Sequence, residues 1–131
     1  MDIAITALTI IVLMLILKFI MQKRAQKSKG KTVDLTIFDD QIKTLLKGEK
    51  SILYFYTPTC GACKTQVPII DKLKEDLNFV GKIDLSKNNN ASKEFGILGT
   101  PTTAIMKGNS IVEIFVGLKK YDFLKTKFEN I

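Results

Sequence analysis

The chain has 131 residues, enough for one compact domain of about 100 residues and one appended segment. Its formal charge of +7 arises mainly near the N-terminus, where residues 18–31 hold six of the 20 basic residues, so it argues against a nucleic-acid-binding domain, which carries its basic surface on the folded unit. The sequence has no histidine and two cysteines, which excludes histidine-dependent hydrolases and a zinc site made of four thiolates.

The N-terminal segment contains an apolar run long enough to cross a bilayer. Residues 3–17 carry no charge, and if Lys18 reaches toward the headgroups the run extends to Met21, a helix of about 28 Å. The basic residues follow the run and no small-residue cleavage site is visible, which favours an uncleaved anchor over a signal peptide. The positive-inside rule then directs the rest of the chain to the cytoplasm, with an extracytoplasmic orientation as the alternative.

Residues 22–31 are polar and basic and end near Gly30. This composition is typical of a solvated juxtamembrane linker. The sequence therefore predicts an anchor and linker over residues 1–31 and a folded domain over residues 32–131.

The folded part alternates strand-like runs with helical spacings, which predicts an α/β fold. The first predicted elements are a strand over residues 32–37, a helix with Phe38, Ile42, Leu45 and Leu46 on its apolar face, and a buried strand over residues 51–56. A helix that begins at Cys60 follows, with Gln66, Ile70, Leu73 and Leu77 on one side, and then a strand over residues 79–85 and a short helix over residues 91–95. The last elements are a hairpin of strands 102–106 and 111–116 and a closing helix with Tyr121, Leu124 and Phe128 on its apolar side. This order implies a central mixed sheet with helices on both faces.

Cys60 and Cys63 form a C-x-x-C motif where the buried strand ends and the next helix begins. At that position the free N–H groups and the dipole of the helix stabilise a thiolate on Cys60, which makes it the attacking sulfur. Cys63, one turn later, can reach a mixed disulfide on Cys60 and resolve it. The alternatives are a purely structural cysteine pair and a two-thiolate site for a soft ion such as Cu(I).

Four features characterise residues 32–131: the run Cys60-Gly61-Ala62-Cys63-Lys64, Pro68, the run Gly99-Thr100-Pro101, and Gly117. With these features the segment resembles the thioredoxin family. The resemblance implies a thioredoxin-like fold, with thiol-disulfide exchange at Cys60 and Cys63 on protein disulfides. It also implies a cis peptide bond between Thr100 and Pro101, in a loop beside the cysteines whose backbone edge binds an extended substrate. No cofactor and no metal are expected for this exchange.

Two departures from the family pattern concern the chemistry of the pair. Thr59 and Ala62 replace the usual tryptophan and proline around the motif, and a spacer without a basic residue gives no reason to expect a strong oxidant. Tyr54 replaces a buried aspartate that helps to deprotonate the second cysteine, and tyrosine is a weak base at neutral pH. Lys82 is the candidate for a family lysine near that site, and no general base is assigned.

These observations favour a membrane-tethered protein-disulfide reductase with a monomeric domain and an electron donor that the sequence does not name. A cytoplasmic site favours reduction, because the cytosol keeps thiols reduced. One alternative is an extracytoplasmic oxidoreductase for disulfide handling or cytochrome maturation. The other is a non-catalytic binding or metal-delivery module on the same fold.

Overall fold

Four strands form one mixed sheet with helices on both faces, as predicted. The structure is a computed structural model that describes residues 2–131 and every side chain among them except that of Ala25. The helices are α1 (Ile3–Gln26), α2 (Asp40–Leu46), α3 (Gly61–Leu77), α4 (Asn89–Phe95) and α5 (Tyr121–Glu129), and the strands are β1 (Lys50–Tyr56), β2 (Val80–Asp84), β3 (Thr102–Lys107) and β4 (Ser110–Val116). The strand order is β2-β1-β3-β4. β2 runs parallel to β1, and both β1–β3 and β3–β4 are antiparallel.

The sheet separates two cores because successive side chains of β1 point to opposite faces. Leu53 and Phe55 pack against α2 and α4, together with a tilted Phe55–Phe95 ring contact at 4.7 Å. Ile52 and Tyr54 pack against α3 and α5 on the other face. All five interior residues of β1 are buried, which confirms the prediction of a central strand covered on both faces.

The predicted strand over residues 32–37 is wrong. Thr32 makes a single bridge to Ser110, and a 3-10 helix at Leu35–Ile37 follows. Asp34 explains the difference, because its carboxylate accepts hydrogen bonds from the backbone N–H and the hydroxyl of Thr36 at 2.9 and 2.7 Å. Such a side-chain bond to the backbone two residues ahead stabilises a turn at the expense of an extended strand.

The apolar part of α1 extends from the domain with its side chains exposed, from Ile3 at 86% to Ile20 at 42%. The stretch Ile3–Arg24 is long and apolar enough to cross a bilayer, a property that signal sequences near an N-terminus share. The prediction that the apolar N-terminal segment forms a helix is therefore confirmed.

Residues 22–31 contact the domain, whereas their composition had suggested a solvated linker. Both Gln22 and Gln26 donate side-chain hydrogen bonds to the Ile114 carbonyl of β4, at 3.1 and 2.8 Å. Ser28 is buried and donates to the Phe95 carbonyl at 2.8 Å. Because β4 is an edge strand, its outer backbone groups need partners, and helical glutamines supply them.

Candidate active site

Cys60 is the N-cap residue of α3. After β1 ends at Tyr56, the Thr57 carbonyl accepts the backbone N–H of Cys60 at 3.2 Å, and Cys60 itself is extended (φ −79°, ψ 113°). Its Sγ accepts the backbone N–H of Cys63 at 3.1 Å, so sulfur takes the part that an oxygen acceptor usually plays at an N-cap. The same N–H and the positive end of the helix dipole would stabilise a negative charge on that sulfur.

Cys60 and Cys63 are joined in a disulfide with their Cα atoms 5.2 Å apart. The two sulfurs differ in accessibility: the Cys63 residue is 2% exposed, whereas Cys60 is partly exposed. Between them, Gly61 and Ala62 are exposed in the first turn of α3. Because only one residue of the pair is open to solvent, only Cys60 is positioned to meet a protein disulfide from outside.

The Thr100–Pro101 peptide bond is cis, as the resemblance implies. The loop ends at β3, where Thr102 pairs with Phe55, so Pro101 lies beside the end of β1 from which Cys60 follows. The Thr102 hydroxyl donates to the Gly99 carbonyl at 2.7 Å. Thr57, Gly99 and Thr100 line one shallow cavity at this end of the sheet. The predicted substrate-binding residues are thus adjacent to the loop that leads to the redox pair.

Gly117 joins a further loop to the site. Its backbone N–H donates to the Pro101 carbonyl at 2.8 Å, and its φ of +93° lies in the region that glycine adopts without a Cβ clash. The loops that contain Cys60, Pro101 and Gly117 therefore meet at the same end of the sheet.

Tyr54 lies beneath the pair and is fully buried. Its hydroxyl donates to the Cys63 carbonyl at 3.0 Å. Burial, together with the nearby Tyr56 and Asp71, raises the pKa of Tyr54 to about 12. The phenol therefore stays protonated at neutral pH, so it is a hydrogen-bond donor and not a base. Lys82, the candidate lysine near this position, is occupied in an ion pair with Asp71.

Sequence reasoning missed three residues that lie close to the site. Gln66, fully buried on α3, exchanges two hydrogen bonds with the backbone of Lys119, although its polar character on an apolar helical face was a usable signal. Thr103, the register partner of Tyr54, has a buried hydroxyl without a hydrogen-bond partner among residues 2–131. Met21 of α1 lies against Gly99, a contact that no local pattern predicts.

Comparisons with known proteins agree with this geometry. Residues 29–130 match the family model described as Thioredoxin. The chain is 25% identical over 101 residues to thioredoxin from Alicyclobacillus acidocaldarius subsp. acidocaldarius, covering 74% of this chain and 96% of that one. It is 30% identical over 74 residues to thioredoxin from Bacillus subtilis (strain 168), covering 54% and 71%. A mutant thioredoxin from Halobacterium salinarum NRC-1 superposes with a TM-score of 0.66 at 27% identity, covering 71% of this chain and 84% of that one. The chain belongs to the thioredoxin family, and its Cys60–Cys63 pair makes it a thiol-disulfide oxidoreductase.

Proposed function

We propose that this chain is a membrane-tethered protein-disulfide reductase in which Cys60 attacks the substrate and Cys63 resolves the intermediate. One observation carries the assignment of roles. Cys60 is accessible at the N-cap of α3 and accepts the N–H of Cys63 at 3.1 Å, whereas Cys63 is 2% exposed. The accessible and stabilised sulfur is the one suited to attack.

The cycle starts from the dithiol form. The Cys60 thiolate attacks one sulfur of a substrate disulfide, that S–S bond breaks, and the departing sulfur leaves as a thiolate that takes up a proton. Cys63 then loses its proton and attacks Cys60 Sγ, which forms the Cys60–Cys63 disulfide, breaks the mixed disulfide and releases the second substrate sulfur as a thiolate that takes up a proton. Counting the proton that Cys60 gave up when it ionised, the protein loses two electrons and two protons, and the substrate gains the same number. The exchange itself needs no cofactor and no metal, and an external dithiol reductant must restore the pair.

The proton of Cys63 has no basic side chain to receive it in this proposal. Tyr54 is the polar side chain that contacts the Cys63 backbone, and its raised pKa of about 12 makes it a poor acceptor near neutral pH. We therefore assign the proton to water or to the departing substrate thiolate.

Substrate binding is assigned to Thr100 and Pro101. Gly61 and Ala62 are exposed and leave the approach to Cys60 uncrowded, whereas Gly99 makes room for Met21 of α1. The loop also borders a shallow cavity that extends toward α4, with Thr57 and Thr100 in its lining. An ideal Cβ on Gly61 would meet no atom within 4 Å, so there is open space at the start of α3. We therefore assign the substrate disulfide to the open start of α3, next to the loop that holds Pro101.

Tethering is supported by α1, whose apolar length suffices for a bilayer and whose end carries the basic residues. We propose residues 1–31 as the anchor with its basic segment, residues 32–131 as the redox domain, and a cytoplasmic orientation by the positive-inside rule. An impermeant thiol reagent added to intact cells after mild reduction tests the orientation. Cys60 should label only after the cells are permeabilised, and labelling of intact cells would favour the extracytoplasmic alternative.

Paired cysteine substitutions test the reductase mechanism. Cys60→Ser should abolish reduction of insulin disulfides, because no accessible nucleophile remains. Cys63→Ser should accumulate mixed disulfides that run as larger species on a non-reducing gel and disappear on reduction. Full activity in either variant would refute the dithiol mechanism, and tight Cu(I) binding by an inactive wild-type protein would favour the metal-delivery alternative.

A further inference from the structure

The direction of α1 along the sheet relates the anchor to the redox site. Gln22 bonds to Val116 and Ile114, Lys29 pairs with Glu113 at 3.0 Å, and Gly30 donates to Ile111 at 2.7 Å. From Gln22 to Gly30, the chain therefore runs along β4 from the C-terminal end of this strand toward its N-terminal end. Read toward the N-terminus, α1 points past the C-terminal end of β4.

That end of the sheet is the end that bears the active site. β1 finishes there before Cys60, and antiparallel β3 begins there after Pro101. β4 is antiparallel to β3, so Gly117 is also at this end, bonded to Pro101. The apolar half of α1 therefore extends beyond the same end of the domain that exposes Cys60.

Contacts of α1 fix the level at which the domain meets this apolar half. Lys18 lies against Gly117, where an ideal Cβ would be 3.6 Å from its Cε, and Met21 lies against Gly99. Lys18 is also the first charged residue after Asp2. If residues 3–17 and their immediate neighbours fill the hydrocarbon core, these two loops lie at the depth of the lipid headgroups.

The surface at this end has the composition of a membrane contact. Residues 57–63, 96–101 and 114–118 contain no charged side chain. Leu98 and Leu118 are 56% and 48% exposed within it. Lys64 directly follows the first of these segments, Lys119 and Lys120 follow the third, and Lys18 lies against Gly117. These lysines are the basic complement to anionic headgroups.

Acidic residues at this end are confined to its margins. Asp84 ends β2, on the edge of the sheet opposite to β4, and accepts hydrogen bonds from the N–H and hydroxyl of Ser86. Asp122 lies in the first turn of α5, after Lys119 and Lys120 in the chain. Neither residue interrupts the uncharged centre.

We infer that the active-site end of the domain rests on the lipid headgroup layer through Leu98 and Leu118, and that its substrates are disulfides in juxtamembrane segments of membrane proteins. The inference depends on the tethering proposed above and adds a fixed orientation to it. A disulfide far from the bilayer would have to reach beneath the domain. A disulfide near the headgroups would approach Cys60 along the membrane surface.

Tryptophan fluorescence can measure this depth because the chain contains no tryptophan. Single substitutions Leu98→Trp and Leu118→Trp report on the proposed contact. Phe79→Trp is the matched control: Phe79 is 51% exposed and precedes β2, at the opposite end of the sheet. Phe19→Trp, at a site 67% exposed on α1, reports on membrane insertion itself.

The full-length variants are reconstituted into phosphatidylcholine–phosphatidylglycerol vesicles, with and without bromine near the headgroup end of the acyl chains. The intensity ratio between the two vesicle types cancels quenching by the protein. We expect Leu98→Trp and Leu118→Trp to give quenching ratios close to that of Phe19→Trp, and Phe79→Trp to be unquenched. Quenching of Phe19→Trp alone would overturn the membrane-facing orientation and leave the anchor standing. No quenching of Phe19→Trp would refute the tether, and the orientation with it.

A second measurement tests the substrate class. A transmembrane peptide carrying a two-cysteine disulfide loop either directly at the membrane surface or after a long polar spacer is reconstituted with the reduced wild-type protein. The proximal disulfide should be reduced about tenfold faster, because the fixed orientation raises its effective concentration at Cys60. Equal rates would overturn the assignment to juxtamembrane disulfides, even if the Trp probes lie in the headgroups.

Discussion

The side chain of Gln66 in α3 forms two hydrogen bonds with the backbone of a single residue, Lys119. Its Nε2 donates to the Lys119 carbonyl at 2.9 Å, and its Oε1 accepts the Lys119 N–H at 2.8 Å. The bonds connect the redox helix to the loop after Gly117, which in turn bonds to Pro101. A fully buried side chain thus couples Cys63, one turn earlier in α3, to the proposed membrane-facing loop.

Replacing Gln66 by methionine keeps the length and approximate volume of the side chain but removes both bonds. We expect a loss of about 2 kcal/mol in the free energy of unfolding, since each bond contributes about 1 kcal/mol. Guanidinium unfolding of the protein in mild detergent measures it. A loss below about 0.5 kcal/mol would mean that the bonds are replaced by water at no cost.

Tyr54→Phe should leave disulfide reduction nearly unchanged at pH 7. Loss of a general base costs about 100-fold or more in rate, whereas loss of a structural donor should change it by less than about threefold. The insulin assay compares the two proteins at equal concentrations. A large loss of rate, with mixed disulfides accumulating as in Cys63→Ser, would instead make the phenol part of proton transfer.

The raised pKa of Tyr54 also predicts a pH dependence of stability. The unfolded chain ionises this phenol near pH 10 and the folded chain only near pH 12. Its stabilising effect is therefore complete below pH 10 and is lost as the pH rises through about 12. Melting temperatures of wild type and Tyr54→Phe should converge over this range, since the variant lacks this titration. Parallel curves would show that Tyr54 has the same pKa in both states.

Gly81→Ala should destabilise the domain by about 1 kcal/mol, the low end of the cost of overpacking, because the atoms that its Cβ meets are terminal methyl groups of flexible side chains. An ideal Cβ on Gly81 would lie 2.7 Å from Ile42 Cδ1 and 2.9 Å from Leu45 Cδ2, between β2 and α2. Gly61→Ala is the control for stability, because its Cβ would meet no atom within 4 Å. Equal stabilities of the two variants would show that α2 shifts freely.

Gln22 and Gln26 give a matched pair for the contact between α1 and β4. Both donate to the Ile114 carbonyl, but only Gln22 also accepts the Val116 N–H, at 2.8 Å. Hydrogen exchange at the Val116 amide should therefore quicken by at least about fivefold in Gln22→Ala, the equivalent of one hydrogen bond. It should change little in Gln26→Ala. Equal exchange in both variants would mean that α1 does not protect the edge of β4.

Local sequence signals determined the elements nearest the redox chemistry. The β-branched and aromatic run of β1 lies in a central strand because it can be buried on both faces, and Cys60 begins α3 because Thr57 and Pro58 interrupt that strand. The spacing of Cys60 and Cys63 then brings their sulfurs together within one helical turn. These outcomes depend on neighbours in the chain, so periodicity and motif sufficed to predict them.

Tertiary structure decided what depends on contacts between distant segments. A turn capped by Asp34 replaced the first predicted strand, and the glutamines of α1 instead covered the outer edge of β4. The burial of Tyr54, which raises its pKa, likewise follows from packing against α3. The C-x-x-C pair could be found from sequence alone. The direction in which the anchor leaves the active-site end could not, because it is set by bonds between residues about 90 positions apart.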